Sequence, residues 1–137
     1  MEIKNINKEF MNLYFKKKLV AYDQIDNKIL LTDSYRLYIL KDDDFILDKS
    51  KLRKVDLSKF INDEGYILGY VTNDLKFINK DIIRVIKSSD DSIVINVNDN
   101  YLKYFDRFEI KVKSDHDPVY IYENDEMVGL VLPIKEY

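Results

Sequence analysis

Lys28-Ile29-Leu30-Leu31-Thr32-Asp33-Ser34-Tyr35-Arg36-Leu37-Tyr38-Ile39-Leu40 holds two short apolar runs, KILLT (28–32) and YRLYIL (35–40), parted by Asp33-Ser34. Each run is rich in β-favouring side chains and too short for a helix, and Asp and Ser suit a tight reversal. The stretch reads as a β-hairpin. Similar patterning extends to both sides. LVAYD (19–23) and FIL (45–47) read as strands, set off by Asp26-Asn27 and by Asp42-Asp43-Asp44. Further on come YILGYV (66–71), SIVINV (92–97), YLKYF (101–105), FEIKVK (108–113), VYIY (119–122) and MVGLVL (127–132), with NDN, DR, SDHDP and ENDE breaking the later runs. EIKNI (2–6) is strand-like as well, while KSKLRKVDLSKF (49–60) stays open between strand, loop and short helix.

Two stretches predict helices. Ile6, Phe10 and Leu13 recur at spacings of four and three, which predicts a helix from about Asn7 to Lys17 with Asn5 or Asn7 as its cap. Ile82, Ile83, Val85 and Ile86 form a second apolar stripe, with Asn79 as the expected cap. The order strand, helix, then three or four antiparallel strands occurs twice, in halves of approximately 1–62 and 63–137. The repeat is one of pattern and not of letters. Many strands with two helices predict an α+β fold, helices packed on one face of antiparallel sheet, in a single domain spanning 1–137.

Composition bounds the function. The chain has 137 residues, 22 basic and 25 acidic, for a net charge of −3. At 46% hydrophobic and 34% charged it can bury a core, which excludes wholesale disorder. No cysteine is present, so disulfides and thiolate metal ligands are excluded and a reducing cytoplasm is the expected setting. No apolar stretch approaches the ~20 residues of a membrane helix, and MEIKNINKEF lacks a signal peptide's apolar core. Abundant Lys, Ile, Asn and Tyr beside a single alanine, Ala21, point to AT-rich codons and hence to a low-GC bacterium or its phage. Charge is uneven: residues 1–60 balance at +3, from 13 basic and 10 acidic side chains, and residues 115–137 at −5, from one and six.

Catalytic signals are thin. The single histidine lies in Ser114-Asp115-His116-Asp117-Pro118, a polar stretch between two expected strands that reads as a turn. Asp42-Asp43-Asp44 lacks the alternating ligands and the glycine of a calcium loop and reads as a solvated hairpin tip. No Gly-rich phosphate loop or Ser elbow is present, so no enzyme activity, cofactor or metal is expected. The expected helices say more. Lys4, Lys8, Asn12 and Lys16 recur every four residues opposite the first apolar stripe, extended by Lys17 and Lys18. Lys80, Arg84 and Lys87 share a face of the second. Such rows suit salt-sensitive contacts to phosphates, although amphipathic helices carry lysine on their wet face whatever they do. The 11 tyrosines and 7 phenylalanines suit a pleated sheet, with no base-stacking motif around them.

Asn27-Lys28-Ile29-Leu30-Leu31-Thr32-Asp33-Ser34-Tyr35-Arg36-Leu37 resembles a strand–turn–strand segment of bacterial DNA polymerase sliding clamps, which reads as an apolar strand followed by Thr-Asp-Gly-His-Arg-Leu. Pro118-Val119-Tyr120-Ile121 and Val128-Gly129-Leu130-Val131-Leu132-Pro133-Ile134 resemble the clamp's closing strands, the last ending in Met-Pro. The repeated helix-plus-strands pattern resembles the two halves of one clamp domain. Ser34 stands at the motif glycine, Tyr35 at the histidine and Leu132 at the methionine, and the chain carries one domain where a clamp chain carries three.

The resemblance implies helices that face double-stranded DNA without sequence preference, through Lys8, Lys16, Lys80, Arg84 and Lys87. It also implies a groove for partner peptides lined by Thr32, Tyr35, Arg36, Leu37, Leu132, Pro133 and Ile134. A ring would need several copies joined through sheet edges. The leading expectation is a cytoplasmic, non-enzymatic, phage-type protein that contacts DNA and docks replication proteins. The alternative is a small interaction protein of the same fold that binds a host or phage protein and not DNA.

Overall fold

The computed structural model describes residues 1–134; the last three residues of the expected domain lie outside the described residues. The chain opens with α1 (Ile3–Phe15) and continues into β1 (Ala21–Ile25), β2 (Lys28–Thr32), β3 (Arg36–Lys41) and β4 (Arg53–Lys54). After a long crossing come β5 (Ile67–Ile78), β6 (Asp81–Ser88), β7 (Val94–Asn98), β8 (Glu109–Val112), β9 (Val119–Glu123) and β10 (Glu126–Val131). All strands join one ten-stranded sheet in the order β4-β1-β2-β3-β10-β9-β8-β5-β6-β7. Pairing is antiparallel throughout except between β1 and β4. The fold is α+β, dominated by sheet. The last strand, β10, lies beside β3 and so joins the early hairpin to the late strands.

The hairpin forms as its sequence predicts, with β2 matching KILLT and β3 shifted by one residue. The first helix starts earlier than expected. Ile3 continues the stripe of Ile6, Phe10 and Leu13, so EIKNI becomes helix and not strand. Asn7 is no cap. It sits 2% exposed within the helix, its amide donating to the carbonyls of Ile3 and Asp44, its oxygen accepting from the Ile46 N–H.

The second expected helix is β6. Ile83 and Val85 occupy one face of that strand and Ile86 and Ser88 the other, all buried. Two covered faces give an apolar run that imitates helical spacing, and β-branched Ile and Val settle it as strand. Asn79 takes φ 58 in the two-residue turn between β5 and β6, a conformation asparagine tolerates better than most side chains.

Two expected strands are loops. In 45–47, Phe45 and Leu47 are buried and Ile46 is 68% exposed, so the alternation is there but no neighbouring strand completes a ladder. In 101–105, successive tight turns bury Leu102 and Phe105 three residues apart. Asp42–Asp44 form one turn of 3-10 helix after β3 and not a hairpin tip. The open stretch 49–60 resolves into short 3-10 turns around β4.

The sheet buries both faces unequally. On one face α1 lays Ile6 and Phe10 over Ile29, Leu31, Tyr38, Leu40, Ile110, Ile121 and Val131. On the other, a smaller cluster of Leu30, Leu37, Ile39, Tyr120, Tyr122 and Leu130 lies beneath the crossing segment, which contributes Val55, Leu57, Phe60 and Tyr66. No helix among the described residues is long and apolar enough to cross a membrane.

Candidate functional site: a pocket beneath the crossing segment

Opposed residues on paired strands put their side chains on the same face. The register aligns Arg53 with Ala21, Ala21 with Thr32, Thr32 with Leu37, and Leu37 with Leu130. This single row across β4, β1, β2, β3 and β10 floors a pocket of about 390 Å³. Val55, Leu57 and Phe60 of the crossing segment form one wall, and Leu19, Ser34 and Leu132 complete the border.

Specific bonds hold the wall. The buried carboxylate of Asp23 accepts the Leu57 N–H at 2.8 Å, and the Val55 N–H donates to the Tyr22 carbonyl. At the far side, Leu132 is placed by its N–H donating to the Tyr35 carbonyl at 2.9 Å. Gly129 lets β10 come this close. A Cβ there would lie 2.4 Å from the Leu37 carbonyl oxygen and 2.9 Å from the Phe105 ring.

The β2–β3 turn shapes the rim. Asp33 accepts the N–H groups of Tyr35 and Arg36, and Thr32 donates its hydroxyl to the Arg36 carbonyl at 2.7 Å. Between them Ser34 adopts φ 81, a conformation that favours glycine.

Of the groove residues implied by the clamp resemblance, Thr32, Leu37 and Leu132 meet in this pocket. Arg36 borders it, but its guanidinium lies on the helix face, 4% exposed, between the rings of Phe10, Tyr38 and Tyr101 at 5.3, 5.7 and 4.6 Å. There it pairs with Asp33 and Glu9, each at 3.1 Å, and bolts α1 to β3. Burial, with Glu9 alongside, pushes the nearby Tyr104 hydroxyl up to about 12. Tyr35 is 61% exposed and, like Pro133 and Ile134, does not border the pocket. Ile134 instead donates its N–H to the Asn96 carbonyl on β7.

The residues expected to contact phosphates are scattered over different elements. Lys8 and Lys16 are exposed, on α1 and just after it. Lys80 is in the β5–β6 turn, and Arg84 and Lys87 lie on β6, so these three share no helix face. Arg84 pairs with Asp99 at 2.9 Å and donates to the Thr72 carbonyl.

The His116 stretch is a turn. The Ser114 hydroxyl accepts the N–H groups of His116 and Asp117. Ser114 and Asp115 both approach the same ring nitrogen, Nδ1, at 3.1 Å, whereas a relay needs one partner on each nitrogen. Among the described residues no group of three or more His, Cys, Asp or Glu could hold a metal ion.

Sequence reasoning missed the pocket's wall and its anchors. Val55 and Leu57 alternate with Lys54 and Asp56, a short period-2 signal inside the stretch left open. Asp23, a carboxylate in the middle of a strand, marks the attachment point. No protein-family model, curated protein or solved structure matches the chain, so the reading of this pocket rests on its own geometry.

Proposed function

We propose that this chain is a non-enzymatic, cytoplasmic docking protein whose pocket receives an apolar side chain of a partner peptide. One observation carries the reading. Thr32 and Leu37 on one side and Leu132 on the other, far apart in sequence, border a single pocket with an apolar floor. These are groove positions suggested by the likeness to sliding clamps, and ligand pockets of this kind are concave, mainly apolar and edged by a few polar groups.

The likeness is taken at the level of hairpin and pocket. A clamp domain sets a helix on each half, and the described residues hold α1 alone. Phosphate tracking would therefore run through Lys8 and Lys16, with Lys80 and Lys87 on a hairpin, and it stands second to protein docking. Docking of a replication protein or of a host protein fits the pocket equally.

Methyl-labelled protein titrated with short Leu- and Phe-containing peptides tests the reading. Shifts are expected at Leu19, Leu37, Val55, Leu57, Leu130 and Leu132. Shifts confined to Met11, Leu47 and Leu52, which border a separate apolar hollow beside Phe15, would move the docking site off the pocket. Light scattering with and without duplex DNA at low salt checks the second reading, which needs a complex that salt dissolves.

A further inference from the structure

One end of the pocket is basic, because Arg53 borders it and Lys16–Lys18 run into Leu19, which borders it too. α1 ends in a Schellman-type turn, the Lys18 N–H donating to the Leu13 carbonyl with Lys17 at φ 58, and the chain then enters β1. β4 runs parallel to β1 with Arg53 beside Ala21, so the segments leading into both strands start from the same end of the sheet. Lys18 stands three residues ahead of Ala21, about 10 Å along an extended chain. Lys16, Lys17, Lys18 and Arg53 are all exposed, and among the described residues none forms an ion pair, while Lys54, beside Tyr22, lies on the opposite face of the sheet.

Nearby carboxylates are already engaged. Asp23 holds the Leu57 N–H, Asp33 holds Arg36, and Asp56 accepts from the hydroxyl and N–H of Ser58. Four exposed cations without ion-pair partners among the described residues therefore lie at one end of a pocket whose floor is apolar.

We propose that the pocket's partner is an acidic peptide segment. Its apolar side chain fills the pocket while its carboxylates meet Arg53 and Lys16–Lys18. This rests on the docking reading above and adds the partner's charge. A phosphate backbone alone would satisfy the cations but leave the partly exposed apolar border of Leu19, Val55, Phe60 and Leu132 uncovered. A peptide supplies both charge and apolar surface, and complementary charge sets register and the rate of encounter.

The test is selection of a random dodecamer display library against the immobilised full chain. Two variants run in parallel: Leu132→Asp, and Arg53→Glu combined with Lys18→Glu at two exposed positions. Circular dichroism confirms that each is folded. Asp- and Glu-flanked Leu, Phe or Met sequences are expected to enrich. Synthetic versions should bind the double variant at least about tenfold more weakly and lose affinity between about 50 and about 300 mM salt.

Apolar sequences without acidic bias, lost on Leu132→Asp but kept by the double variant, would overturn the charge assignment and leave the docking reading standing. Sequences that enrich no better on the native chain than on Leu132→Asp would overturn both. Fluorescent duplex DNA whose binding depends on Arg53 and Lys18, with no acidic peptide enriched, would give the cations to nucleic acid and overturn the proposal.

Discussion

The two faces of the sheet solve the same problem to different degrees. On the helix face α1 lies over β2, β3 and β10, with Phe10 and Arg36 both buried between helix and strands. On the opposite face a crossing segment with little regular structure does the covering. It closes over Leu30, Ile39 and most of the row from Ala21 to Leu130, but leaves an indentation bordered by the partly exposed Leu19, Thr32, Val55, Phe60 and Leu132. A helix brings a continuous ridge of side chains to a sheet, whereas an irregular segment touches it at separated points. The filled face carries the stability, and the incompletely filled face carries the candidate site.

The largest expected effect breaks this comparison from the stable side. Phe10 is fully buried and packs edge-on against Tyr38 at 5.9 Å while facing the Arg36 guanidinium. Phe10→Ala should cost about 3–5 kcal/mol in urea unfolding, through lost burial and the cavity left behind. If the helix face is the stabilising one, no substitution confined to the pocket border will approach that figure.

Asp23→Ala acts on the other face. It leaves the Leu57 N–H without its acceptor beneath the crossing segment, which should cost about 1–3 kcal/mol. The sharper signature is local. Amide exchange should quicken around Val55 and Leu57 and stay slow at Ile86 and Ile95, and peptide binding should fall with the wall's order.

The two faces were also unequally legible in the sequence. KILLT and YRLYIL were readable because strong turn residues flank them and a strand is the only element short enough to fit. β6 was not, because burial on both faces erased the alternation that marks a strand and left Ile82, Ile83, Val85 and Ile86 spaced like a helical stripe. The pocket's floor was half legible. Thr32 and Leu37 sit in the readable hairpin, but Ala21 and Arg53 join them only through a parallel pairing that nothing local announces. Arg36 shows the limit of carrying a role by position, since strand alternation turns its side chain to the helix face.

Ser34→Gly sharpens the reading of the rim. Serine at φ 81 holds a backbone conformation that costs less for glycine, and no hydrogen bond of the Ser34 side chain is needed for the turn that Asp33 and Thr32 make. The variant should gain a few tenths of a kcal/mol to about 1 kcal/mol, read as a higher urea midpoint with unchanged slope. A loss instead would mean that the serine does more at the rim than occupy the turn.

The smallest effect concerns acid, and one of the carboxylates involved anchors the pocket face. Asp63 lies near the end of the crossing segment, accepting the Tyr122 hydroxyl at 2.6 Å and the Lys111 ammonium at 3.3 Å. The Tyr122 bond first, and Lys111 second, hold its carboxyl below the usual range. A carboxyl with a folded pKa lower than its unfolded value of about 3.9 contributes stability that is present above that pH and is lost as pH falls through the folded value. Stability should therefore decline below about pH 4, and Asp63→Asn should make the decline shallower while changing little at neutral pH, because its side chain is substantially exposed. Asp48, Asp56 and Asp90, each held low by a neighbouring serine, keep the slope from vanishing in the variant. Methyl signals of Leu57 and Leu130 should broaden on acidification before those of Ile86 and Ile95. Simultaneous broadening would mean that the crossing segment and the helix face open as one unit, and that the pocket is no softer than the core beneath it.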